Sequence, residues 1–293
     1  MALTRNAARE YRPLFHTTRE CRVLAEALDF REECHCIHDL VRDFGEDDLS
    51  RRTLFRDWDF REVFAHLLVF DTAACLTVRD PSGFRTLMRE VVTVLSRGGS
   101  MRDHARAWIG DCTARELLGR WREGSLELAE LYAGLDPARR VAWAGPDMSV
   151  RSCISARQME AWAHSQALFD ALGKERSESD RIRNIAVMGI NTFGWTFSNR
   201  KLPVPEAKPR VVLLAPGGGT WTWNDAGEGG LVEGAAVDFC RVVTQTRNLR
   251  DTSLEVSGAV ALAWMEIAQC FAGAPVDPPA PGVRRRSDPA SIT

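Results

Sequence analysis

Apolar positions recur at steps of three and four over several long stretches, the spacing that lays one hydrophobic stripe along an α-helix. Residues 19–44 carry it at Cys21, Val23, Leu24, Leu28, Ile37, Leu40 and Val41. A polar segment, 45–56, leads to Asp59, which with Glu62 three residues on forms a capping box for a second helix ending near Arg79. Val63, Leu67, Phe70 and Ala74 make its stripe, and His66 lies on that stripe. Asp80-Pro81-Ser82-Gly83 reads as a turn, 84–95 as a third helix closed by Arg97-Gly98-Gly99, and 102–134 as further helix with Trp108, Leu117, Leu118, Trp121, Leu128 and Tyr132 as core positions. A loop over 136–150 delivers the chain to a long helix stopping at Gly173, and 181–195 reads as one more.

The period then changes from helix to strand after Leu202-Pro203-Val204-Pro205. Val211 to Ala215 is a short buried strand, Pro216 to Gly219 a turn, and Thr220-Trp221-Thr222-Trp223 an alternating strand, which together predict a hairpin. No Gly-Lys-Ser/Thr follows those glycines, so they are not a phosphate loop. A strand at 231–233, a helix at 235–244, a connection at 251–258 and a helix at 259–272 complete the pattern. The expected class is α + α/β: an up-down helical bundle over 1–200, a small α/β domain over 201–274, and a Pro-rich, disordered tail over 275–293 containing Arg284-Arg285-Arg286.

Composition narrows this little. A chain of 293 residues that is 45% hydrophobic can support two cores. A net charge of -2 gives no electrostatic reason for a nucleic-acid or acidic-membrane partner. No run of about 18 apolar residues is present, and Met1 to Arg12 is polar rather than signal-like, so a cytoplasmic protein acting on a small molecule is expected, as a monomer or homodimer. Eight cysteines scattered without a secretion signal predict reduced thiols rather than a disulfide framework. Thirty-five of the 38 basic residues are Arg, a skew of genome composition rather than chemistry.

The candidate chemistry lies on the long helix before Gly173. Glu160 and His164 stand four apart and so point the same way, with small neighbours, Ala156, Ala163, Ala167 and Ala171, along that face. Two ligands need a third, and His66 on the second helix supplies it. His66, Glu160 and His164 are the expected metal ligands, three donors on two helices that leave a coordination position open. Cys34-His35-Cys36-Ile37-His38 lacks the paired spacing of a structural zinc site and is expected to be packing and surface.

These residues carry a family likeness. Val63-Phe64-Ala65-His66-Leu67 with Phe70-Asp71, Ala156 through His164, Arg181-Ile182-Arg183, Leu202 to Pro205, Gly234 to Cys240 and Ala268 to Gly273 resemble the mycothiol-dependent maleylpyruvate isomerase group of DinB-like metal-binding bundles. They are similar in particular to an actinobacterial branch whose bundle precedes a sterol-carrier-like α/β domain. The resemblance implies a divalent metal on His66, Glu160 and His164, usually zinc with iron or nickel as alternatives, and mycothiol as thiol cofactor. In the isomerase a thiolate adds to a conjugated cis double bond, the bond rotates, and elimination returns the trans isomer; a transferase keeps the adduct. Arg157 and Arg183 are the motif's nearest arginines and the expected contacts to a bound acid or cofactor. Asn184 and Val187 stand where the family carries histidines, and Ala167 where it carries an acid, so a thiol-independent lyase, cyclase or hydrolase and a non-catalytic metal- or ligand-binding protein stand beside the isomerase or S-transferase reading.

Overall fold

The computed structural model describes residues 23–284. Cys21 and the start of the expected first helix lie outside them, as does the end of the tail. The bundle is built from α1 (Ala25–Val41), α2 (Glu46–Leu49), α3 (Phe60–Arg79), α4 (Pro81–Ser96), α5 (Met101–Ile109), α6 (Ala114–Ala133) and α7 (Val150–Ala171). A two-stranded ribbon, β1 (Arg140–Val141) with β2 (Met148–Ser149), closes the loop before α7. Asp59 caps α3 as its sequence predicts: its carboxylate accepts from Glu62 N at 2.8 Å while the Glu62 side chain accepts from Asp59 N at 2.9 Å. Asp80, read as part of a turn, is instead the N-cap of α4 with Pro81 in its first turn.

The expected helix over 181–195 is broken at Thr192 into α8 (Arg183–Asn191) and α9 (Phe193–Asn199). Beyond them β3 (Pro209–Leu214), β4 (Thr220–Glu228), β5 (Leu231–Ala235) and β6 (Glu255–Ser257) form one sheet in the order β4-β3-β5-β6, with α10 (Ala236–Val243) and α11 (Ala259–Ile267). β3 pairs antiparallel with β4 and parallel with β5, a crossover that α10 does not supply, since it follows β5. β6 sits in the stretch read as a connection, because three residues are too few for a period to register.

Two apolar cores result. One fills the bundle from Leu24 to Leu168, around Trp121, Phe60, Phe64 and Tyr132. The other joins Met159 and Trp162 of α7 to α8, α9, the sheet and α10, around Phe239 and Trp264. Residues 182–197 thus pack with the α/β part, and α7 serves both cores. Residues 275–284, placed by sequence in a disordered tail, are tied back instead: Gln269 Oε1 accepts from Val276 N at 3.0 Å, and Asn248 Nδ2 donates to Pro279 O at 2.8 Å. Among the described residues no helix is long and apolar enough to cross a membrane.

Candidate metal centre

His66 lies in the second turn of α3, and Glu160 and His164 lie one turn apart on the side of α7 that meets it. The donor atoms of the three all fall within 4.8 Å of one another, and among the described residues this is the group of three metal-donor side chains that converges. Glu160 Oε2 is 3.4 Å from His66 Nε2 and 3.1 Å from His164 Nε2. Ligands about 2.1 Å from a tetrahedral ion stand roughly 3.4 Å apart, so an ion fits between these atoms with little rearrangement. Two imidazole nitrogens and one carboxylate oxygen suit zinc and its borderline neighbours better than calcium or magnesium.

Aromatic rings wall the group. The Trp58 indole stacks on His164 at 5.5 Å and meets His66 edge-on at 5.4 Å, while Phe55 sets its edge on His164 at 5.0 Å and Phe70 lies 4.9 Å from His66. A strained loop brings Phe55 and Trp58 there. Arg56 and Asp57 both take left-handed backbone, φ 51° and 57°, and the loop closes where Thr53 N and Oγ1 each donate to Trp58 O at 2.8 Å. Trp58 belongs to the family-like pattern; Phe55, one apolar residue in a polar segment, carries no signal of its role.

Burial alone would raise the Glu160 carboxyl, but hydrogen bonds from His164 and His66, with their charges, hold it well below the usual carboxylate range. Burial, then the neighbouring His164, lowers His66 to about 4, with Glu160 opposing. Both donors therefore present lone pairs at neutral pH without first losing a proton. In the metal-free protein the unfolded chain takes up a His66 proton near pH 6.5 that the fold refuses until about pH 4. Stability from this group is complete above about pH 6.5 and falls as pH drops toward 4, by roughly 3 kcal/mol at 1.36 kcal/mol per unit. Urea melts of chelator-treated protein at pH 7 and 4.5 are expected to register that loss, and His66→Gln to flatten it.

Neither arginine expected to hold an acid or cofactor is free to do so. Arg157 is fully buried: its Nε donates to Asp71 Oδ1 at 2.9 Å, and its guanidinium lies over Phe70 at 5.8 Å, so it fastens α7 to α3 behind the ligands. Arg183 is exposed over Trp221 and Trp223 of β4. Arg181, from the same motif, donates to the fully buried Glu33 at 2.7 Å and ties α8 to α1. Asn184 donates to Asp29 and to Gln158, each at 2.8 Å, which fixes it as a strut. The Cys34 to His38 run does not converge: Cys34 is buried, its thiol pushed well up by burial, while His35 and Cys36 face outward.

Residues 30–169, which hold all three donors, match the model of the mycothiol maleylpyruvate isomerase N-terminal domain. Two Mycobacterium tuberculosis proteins, both called uncharacterized, from strains CDC 1551 / Oshkosh and ATCC 25618 / H37Rv, are each 34% identical over 84% of this chain and 95% of theirs. The chain belongs to the mycothiol maleylpyruvate isomerase family. Its fold also resembles the crystal structure of a mycothiol-dependent maleylpyruvate isomerase, with a TM-score of 0.51 and 14% identity over 80% of this chain and 92% of that one. At that identity the likeness speaks for the bundle and the small α/β part that this family member shares, and the donor geometry above stands on this chain's own residues.

Proposed function

We propose that this chain is a metal-dependent enzyme of the mycothiol-dependent isomerase or S-transferase type, acting on a small electrophilic or unsaturated acid. The observation that carries the reading is the convergence of His66, Glu160 and His164 within 4.8 Å, inside the segment matched to the family. Zinc is the metal the donor set favours, with iron and nickel as alternatives. Bound there, a divalent ion supplies a Lewis acid that draws the proton from a thiol at neutral pH.

The chain's own groups prepare that chemistry. Glu160 is held as an anion and His66 as a neutral ring, and Trp58 and Phe55 fix the plane of His164 while keeping water from that side. The buried cysteines are poor nucleophiles, since burial pushes the Cys75 thiol to about 12 and Cys153 to about 11 and raises Cys240 and Cys270 further. An external thiol suits the site better than any of these.

A second reading, a thiol-independent lyase, cyclase or hydrolase on the same donors, draws on Ala167 and on the locked Asn184 in place of an acid and a histidine. Turnover of maleylpyruvate by zinc-loaded protein, with and without mycothiol, separates the two. Dependence on the thiol is the expected result; undiminished turnover without it would favour the second reading. Absence of metal-dependent turnover of any unsaturated acid would point to a binding protein.

A further inference from the structure

The segment 275–284 returns to the metal centre and places one guanidinium beside it. Asp251 accepts from Gly282 N at 2.9 Å, and Arg284 Nη1 donates to Gln245 O at 2.6 Å. So anchored, Arg284 lies over the face of Phe55 at 4.8 Å, the same ring whose edge rests on His164 at 5.0 Å. Arg56 stands 5.6 Å from that ring as well. Beneath them runs a narrow cleft lined by Phe55, Ala163, Gln166, Ala167 and Arg284.

The charges around the cleft do not balance. Asp170, the carboxylate that acts on Arg284, is already held by Arg247 in two hydrogen bonds of 2.8 and 2.6 Å, and it accepts a third from Gln166 Nε2 at 2.9 Å. Among the described residues neither Arg284 nor Arg56 has a carboxylate partner. Gln166 adds an independent sign of a ligand. It is 4% exposed, its amide nitrogen is fixed by Asp170, and its Oε1 is buried in the cleft without a donor. A buried acceptor left unpaired costs about 1–3 kcal/mol, which a ligand donor would recover.

We propose that Arg284, with Arg56, forms an anion subsite that binds the carboxylate of a small organic acid beside the metal position, while Gln166 Oε1 accepts from a hydroxyl or amide N–H next to that carboxylate. The methyls of Ala163 and Ala167 leave the room. Guanidinium groups pair with carboxylates through two parallel hydrogen bonds, and three of the cleft's features, cation, acceptor and small floor, meet within one residue's reach of His164. The subsite deepens the proposed function and rests on it for the substrate class, but binding at the subsite does not need the metal.

Calorimetry with malate on the full chain tests it, metal-loaded and chelator-treated, beside the uncharged diamide of malate and beside succinate. Malate is expected to bind wild type in both states, the diamide not at all, and succinate, which lacks the hydroxyl, more weakly. Arg284→Ala is expected to weaken malate by at least about tenfold, as loss of a charged hydrogen-bonding partner does. Ala167→Asp, which sets a carboxylate against Arg284, is expected to do the same and carries the comparison should Arg284→Ala fail to fold. No saturable malate binding by wild type, equal binding of the diamide, or unchanged affinity in both variants would overturn the subsite; equal binding of succinate would remove Gln166 from it. Because the chelator-treated protein is part of the comparison, failure of the metal assignment leaves this result readable.

Discussion

Asp71→Ala is expected to destabilise the fold by about 3–5 kcal/mol, the cost of leaving a buried charge without its partner. Asp71 and Arg157 are each 2% exposed at the side chain and meet at 2.9 Å between α3 and α7. Burial pushes the Asp71 carboxyl up, and the Arg157 charge only partly opposes it, so the pair costs desolvation that is recovered only while both members are present. Removing the carboxylate strands a guanidinium that cannot shed its proton. Replacing both, Asp71→Leu with Arg157→Met, is expected to recover most of the loss, as apolar pairs of similar volume do. Thermal melts of the single and double variants check it. A single variant melting within a degree or two of wild type would mean that the two helices are held by the apolar core alone.

His164→Ala is expected to lower kcat/KM for the metal- and thiol-dependent reaction by at least about 10³-fold, roughly 4 kcal/mol of transition-state stabilisation, while the protein stays folded. His164 is a donor to the proposed ion and lies at the rim of the core, 11% exposed at the side chain, with Trp58 and Phe55 against it. Its loss therefore strikes the ion's coordination harder than the packing. Activity within tenfold of wild type would remove it from the site.

The ligand set was legible because each part had a local signal. The Asp59 and Glu62 capping box set the start of α3 and hence the phase of His66, and the four-residue step of Glu160 and His164 put them on one side of α7. That the two helices meet at these turns is a fact of tertiary packing, for which the family likeness stood in. Where the reading departed from the structure, the signal was short or ambiguous. Asp80 before Pro81 suits a turn as well as an N-cap, Glu255 to Ser257 is too brief to show alternation, and Arg157 in a motif looks the same whether it holds a ligand or Asp71. Arg284 left no trace at all, since its place over Phe55 depends on hydrogen bonds from Gln245, Asn248 and Asp251 to a segment whose composition is that of a solvated tail.

The central claim is that three side chains from α3 and α7 hold one ion. Elemental analysis of zinc-reconstituted, exhaustively dialysed wild type beside its Glu160→Ala variant measures it directly, with thermal melts to verify that both are folded. About one equivalent of metal per chain is expected in wild type and less than about a tenth of that in the variant, since a missing ligand lowers affinity by orders of magnitude. Equal metal content in the two proteins would contradict the assignment.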